Sequence, residues 1–167
     1  MATKKRMDDL VIEGARLIFR NFSGKGDTYN REGDRNFNVI IEDELVAQKL
    51  SEDGWNIKIR PPREEGDEAL YRLPVKVNYN SDFPPKIWLV TRNANNLLDE
   101  ETVGNLDYAE IKNVDLIITP YFWEVNGKSG VKAYLKTMYV TLEEDVFAEK
   151  YARNTIEAEL EGEIPFK

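Results

Sequence analysis

Cysteine and histidine are both missing from this sequence of 167 residues. Without them there is no disulfide framework, no Cys/His zinc site, no thiol nucleophile and no imidazole acid or base. Carboxylate chemistry with Mg²⁺ and lysine chemistry are the enzymatic routes that remain. No constellation of acid, base and nucleophile emerges for either, so the sequence predicts a non-enzymatic protein with no catalytic residue, no metal and no cofactor. Long apolar runs are missing as well: none approaches the roughly 18–20 residues of a membrane span. The basic start, Lys4-Lys5-Arg6, has no apolar segment behind it and does not read as a signal peptide. The expectation is a soluble, cytoplasmic protein with no membrane partner.

Positive charge is in short supply, with 23 Lys/Arg against 31 Asp/Glu and a net charge of −8. That balance argues against a polyanionic partner until its distribution is considered. Residues 143–167 hold eight acidic against three basic side chains, so most of the excess sits in the last part of the chain. A binding groove needs local positive potential rather than a basic whole. Hydrophobic residues at 41% and aromatics at 11% are enough for one domain with a real core.

The chain reads as a series of short strands. Leu10 to Phe22 suits one long strand, followed by a loop rich in Gly, Lys and Asp from Ser23 to Gly33. Phe37, Val39 and Ile41 alternate on one face. Asp43 is placed to cap a short helix burying Leu45, Val46 and Leu50, with Gly54 ending it. Trp55, Ile57 and Ile59 alternate next, and Tyr71, Leu73, Val75, Val77 and Tyr79 after a charged loop. Another strand has Ile87 and Leu89 inward. Asn96 to Ile111 reads as one or two helical turns capped by Asp99. Val114 to Val125, Asn126-Gly127 and Val131 to Leu142 form a β-hairpin with the turn residues that a type I′ turn requires. This spacing predicts a mainly β fold, an antiparallel sandwich or small barrel with one or two short helices. Beyond Glu143 a short helix over Asp145 to Arg153 and then an acidic tail are expected.

On the last strand, Lys132, Tyr134 and Lys136 share one parity, a ring between two cations. Phosphates need cations, and unpaired bases need flat surfaces on which to stack. The same alternation also describes a surface tyrosine among solubilising lysines. Lys86, Trp88 and Arg92 repeat the composition as the outward set of another strand, where a loop or a second subunit would be the other cover for the tryptophan. Tyr121 and Trp123 share a parity on the first hairpin strand and belong either to the core or to this face. Lys128 stands at the hairpin turn. Lys25, Arg31 and Arg35 lie in and beside the Ser23–Gly33 loop, which is either a clamp or a solvated turn; its Gly-Lys-Gly lacks phosphate-loop spacing. The carboxylate clusters Glu42-Asp43-Glu44, Asp99-Glu100-Glu101 and Glu143-Glu144-Asp145 each stand where a helix starts, where negative charge suits the helix dipole.

Three segments resemble phage single-stranded DNA-binding proteins with an OB fold. Gly14-Ala15-Arg16-Leu17-Ile18-Phe19-Arg20-Asn21-Phe22 looks like the opening strand. Arg35-Asn36-Phe37-Asn38-Val39-Ile40-Ile41 looks like the next, and Asn126-Gly127-Lys128-Ser129-Gly130-Val131-Lys132-Ala133-Tyr134-Leu135 resembles the Gly-Lys-x-Gly-Val hairpin near the family's end. The resemblance implies an OB-like antiparallel barrel over residues 10–153, between a flexible N-terminus (1–9) and an acidic tail (154–167). It also implies sequence-tolerant binding of single-stranded DNA in phage replication or recombination, by a monomer or homodimer in the host cytoplasm.

The last residues are similar to the acidic tip of bacterial single-strand-binding proteins. Glu161, Glu163, Ile164, Pro165 and Phe166 match it, and Lys167 departs from it by moving the terminal carboxylate off Phe166. Replication or repair proteins are the partners that this tip implies; a tail covering the chain's own DNA groove is the other reading. Two rival functions remain at this point. One is a phage structural or accessory β-sandwich protein; the other is an acidic DNA-mimic inhibitor of a host nuclease.

Overall fold

The computed structural model describes residues 7–28, 30–91 and 94–143. The predicted strand over Leu10 to Phe22 is two strands, β1 (Leu10–Ile12) and β2 (Arg16–Asn21). Gly14 divides them at φ +63°, a left-handed conformation that glycine adopts without steric cost. Immediately after it, Ala15 N donates to Val114 O at 2.7 Å. Then follow β3 (Arg35–Ile41), α1 (Glu44–Glu52), β4 (Lys58–Arg60), β5 (Leu70–Val77), β6 (Lys86–Val90), β7 (Asn95–Leu98), a 3₁₀ turn (Val103–Asp107), β8 (Ile111–Val125) and β9 (Lys128–Leu142).

The described strands form one nine-stranded sheet whose main path is β1-β8-β9-β5-β3-β2. Neighbours on it run antiparallel except for β5 and β9, which are parallel. This path begins and ends on the two halves of the same N-terminal segment. No ladder joins β1 to β2, so the sheet stays open there and the covalent chain through Gly14 spans the gap. A sandwich would require two sheets. One curled, partly open sheet in this order is OB-like, as expected. The β6–β7 hairpin is added on the side, with β6 parallel to the second half of β9.

Inward alternation supplies the core. Phe37 and Val39 of β3, Leu73 and Val75 of β5, and Leu116 and Ile118 of β8 are buried, together with Ile87, Met138 and Val140. Phe22 stacks on Phe37 at 5.1 Å between centroids. Fully burying one such side chain contributes about 1.5–3 kcal/mol. The β8–β9 ladder shifts register between Ile117↔Thr137 and Ile118↔Leu135, leaving Lys136 as an extra residue in β9. The inward set of β9 therefore passes from Val131, Ala133 and Leu135 to Met138 and Val140. Such a bulge bends and twists a strand, which helps a sheet to curl.

Some local expectations differ. Asp43 does cap α1, accepting from Leu45 N and Val46 N. The register that it sets turns Ala47 and Leu50 toward the core and leaves Leu45 74% exposed, with Val46 also exposed. Trp55 is buried, but Ile59 is exposed because β4 is a short flank that pairs only with the start of β5. Residues 95–98 are a strand paired with β6 rather than part of a helical turn. Asp99 starts the 3₁₀ segment as expected: Thr102 N donates to it at 2.8 Å and Glu101 N at 3.0 Å. Hydrogen bonds from the Thr102 hydroxyl and amide hold the Asp99 carboxyl below its ordinary value. The hairpin turn is as read, with Asn126 at φ +52° and Gly127 at φ +78°. No helix among the described residues is long and apolar enough to cross a membrane. The expected helix over 145–153 and the acidic tail lie outside the described residues.

Candidate nucleic-acid interface

Because one face of β8 and β9 is committed to the core, the opposite parity looks outward. On that outward side Thr119 pairs with Tyr134 and Tyr121 with Lys132. Tyr121 and Tyr134 are thus diagonal neighbours, within reach of aromatic side chains. Their rings meet edge to face, 5.7 Å apart at 79°. Tyr121 is 56% exposed. Lys132 and Lys136 are exposed to either side of Tyr134, and Lys136 Nζ donates to Asp9 Oδ2 at 2.9 Å.

A cleft of about 690 Å³ opens here, lined by Tyr121, Tyr134, Lys136, Thr119, Asp9 and Phe83 among others. Phe83 is 91% exposed, on the loop between β5 and β6. An aromatic left so fully in water costs solvation free energy that burial against a ligand would recover. Rings at the wall and ammonium groups at the rim suit a chain of bases on a phosphate backbone.

Sheet register carries this surface further. Lys76 of β5 pairs with Tyr134, Asn36 of β3 with Lys76, and Asn21 of β2 with Asn36. Lys76 is exposed and has no carboxylate partner among the described residues. Toward the hairpin tip, Trp123 faces Gly130. A Cβ at Gly130 would stand 2.9 Å from Trp123 Nε1, so the missing side chain is what lets the indole lie on β9. Lys128 is exposed at the end of the same hairpin.

Other candidate residues stand elsewhere. Lys86 pairs with Thr137, beside the bulged Lys136. Trp88 pairs with Tyr139 and stacks on it at 6.4 Å and 9°, half-buried, and does not line the Tyr121–Tyr134 cleft. Lys25 and Arg31 are exposed on the loop between β2 and β3, and Lys25 lines a separate cleft. Arg35 is drawn away: its guanidinium meets Glu100 at 3.5 Å and lies over the Tyr79 ring at 5.5 Å. Burial pushes the Tyr79 phenol up to about 12, against the opposing pull of Arg35. Arg92 and the tail residues Glu161, Glu163, Ile164, Pro165 and Phe166 lie outside the described residues.

Sequence reasoning passed over Phe83, Lys76, Arg72, Phe19 and Tyr108. Lys76 had a signal, since it falls on the outward parity of the Tyr71–Tyr79 alternation. Phe83 had a weaker one, an aromatic directly before Pro84-Pro85 in a turn. Among the described residues no group of His, Cys, Asp or Glu could hold a metal ion.

A partly open, OB-like sheet with exposed rings set beside lysine ammonium groups defines the class of single-strand-binding β proteins. The chain matches the family described as "Putative phage ssDNA-binding domain" over residues 1–163, and it belongs to that family. Its fold is similar to that of the single-stranded DNA-binding protein from bacteriophage Enc34, at a TM-score of 0.53 and 11% identity, covering 82% of each chain. A structure of that phage protein in complex with ssDNA is similar at a TM-score of 0.54 and 10% identity, covering 82% of this chain and 88% of the other. No curated protein sequence matches the chain.

Proposed function

We propose that this protein binds single-stranded DNA without marked sequence preference, through the Tyr121–Tyr134 cleft and the lysines around it, and that it protects and organises single strands in phage DNA replication or recombination. Its place of action on this reading is the cytoplasm of the host cell, and its role is binding rather than catalysis. The observation that carries the proposal is the edge-to-face tyrosine pair, set between Lys132 and Lys136 on the outer face of the β8–β9 hairpin. Stacking accepts any base because every base has a π-face, and ammonium groups meet a backbone that is the same at every nucleotide. Family membership supports the same ligand. A terminal acidic tip that docks replication or repair proteins belongs to the proposal as well, on its similarity to the bacterial tip.

The test is a titration of labelled poly-dT by fluorescence anisotropy at several salt concentrations. Affinity should fall as salt rises, and the Lys132→Glu/Tyr134→Ala double variant should lose most of it. Undiminished binding by that variant would remove the cleft from the interface. Failure of the unaltered protein to bind would remove the function.

A further inference from the structure

We infer that the protein holds a second base-stacking subsite, formed by Phe19 and Tyr108 at the far end of the same sheet surface, so that one DNA strand is gripped at both ends of a path from β8 to β2. The inference rests on the single-strand-binding reading above and specifies its reach.

Phe19 is the starting observation. It falls where the β2–β3 register breaks, between Ile18↔Asn38 and Asn21↔Asn36, and its φ is +52°. A bulky residue in the left-handed region is an outlier that persists only where surrounding structure enforces it, and such outliers cluster at ligand clamps. Here the distortion leaves the ring 64% exposed. The Arg72 guanidinium lies over it at 5.5 Å, ready to meet a phosphate beside a stacked base.

Tyr108 is 86% exposed and lines the same cleft, about 440 Å³ in volume. The two aromatics come from distant parts of the chain and are fastened together. Arg20, the neighbour of Phe19, donates through one nitrogen to Leu106 O and Ala109 O, both at 2.8 Å, bracketing Tyr108. Ser23 Oγ donates to Asp107 at 2.7 Å. Holding two exposed rings at a fixed spacing lowers the ordering cost of binding between them.

Nearby polar groups are already engaged in bracing the loop. Asn36 Nδ2 donates to Asn30 Oδ1 at 2.9 Å, and the Asn21 and Asn30 amides both donate to Lys25 O. With those donors committed, the subsite offers stacking more than base-edge recognition, which agrees with sequence tolerance.

Continuity fixes the occupant. Asn21, Asn36, Lys76, Tyr134 and Thr119 form one cross-strand row over β2, β3, β5, β9 and β8. Asn21 and Asn36 line the Phe19 cleft, and Tyr134 and Thr119 line the other. Only Lys76 stands between them in this row, a cation midway between two sets of rings. Four interstrand steps span roughly 19 Å.

Phe19→Gly tests this without confounding folding, because glycine tolerates the same φ and removes only the ring. The variant Phe19→Gly/Tyr108→Ala would be titrated with oligothymidylates of about 4 and about 16 nucleotides, the two ends of the usual OB-fold site size. The longer strand should bind roughly tenfold or more weakly than to the unaltered protein, with an unchanged salt slope. The short strand, held at the Tyr121–Tyr134 cleft, should be little affected. Phe19→Trp supplies a direct signal: its added emission should change with the long strand and not with the short one. Equal affinity of the double variant for the long strand, or equal losses at both lengths, would overturn the second subsite while leaving DNA binding intact. Absence of binding by the unaltered protein would overturn both readings.

Discussion

The two aromatic clefts at the ends of the sheet surface are built by opposite means. Around Tyr121 and Tyr134, from the bulge at Lys136 to the hairpin turn, the backbone is a regular antiparallel ladder, and alternation along it puts the two rings and Lys132 on one side. Around Phe19 and Tyr108 the backbone is irregular: a register break, a positive φ and a 3₁₀ turn are joined by Arg20 and Asp107. A ladder positions side chains through hydrogen bonds that the fold needs in any case. The irregular cleft depends on a few long-range side-chain contacts, so single substitutions should disturb it far more.

The largest contrast is expected from removing the rings of the regular cleft. Tyr121→Ala/Tyr134→Ala should cost binding about 2–6 kcal/mol, from two stacking partners at about 1–3 kcal/mol each. Anisotropy titration would measure it, and urea denaturation should show little change in stability because both rings lie on the outer face. Arg20→Ala should do the reverse. Two hydrogen bonds from a charged donor are lost, and stability should fall by about 1.5–3 kcal/mol. Binding should weaken for long oligonucleotides and hardly at all for short ones. Equal weakening at both lengths would count against a separate second subsite, as it would for the Phe19 and Tyr108 rings.

The same difference explains what the sequence made legible. Lys132, Tyr134 and Lys136 could be read because a strand alternates, and the Asn126-Gly127 turn set the register of their hairpin. Even Arg35 carried an unused warning: it shares parity with the buried Phe37 and Val39, and it does turn in, toward Tyr79 and Glu100. Trp88 read correctly as outward. Its stacking partner Tyr139 depends on a parallel pairing between strands about fifty residues apart, which no local pattern contains. Phe19 was beyond reach for a further reason. Alternation assumes unbroken pairing, and the break that exposes this ring adjoins long-range contacts of Arg20 with Leu106 and Ala109 that no local pattern contains. The OB-like architecture came through likeness to a family rather than from periodicity, and which strands pair across the sheet was not legible at all.

Smaller effects concern the charges that join the clefts. Lys76→Ala removes one free cation from the row between them. The slope of log affinity against log salt should fall by about 0.7, the value for one phosphate contact on a single strand. Stability should stay within about 0.5 kcal/mol, since no partner is lost. An unchanged slope would place the DNA path off β5 and separate the two clefts.

The smallest expected change runs in the opposite direction. Asp9 engages Lys136 in the wall of the Tyr121–Tyr134 cleft, so an incoming phosphate must displace a carboxylate that already holds the ammonium. An exposed pair of this kind contributes about 0.2–1 kcal/mol. Asp9→Asn should therefore raise ssDNA affinity by up to about fivefold, a gain where the other substitutions bring losses. Long-range relief of negative potential could produce a gain of similar size, and a double-mutant cycle separates the two causes. If the contact is responsible, Asp9→Asn should have no effect in a Lys136→Ala background. If the gain survives there and fades as salt shortens the screening length, Asp9 acts through the field rather than through Lys136. The regular cleft would then stand open to DNA without a competitor.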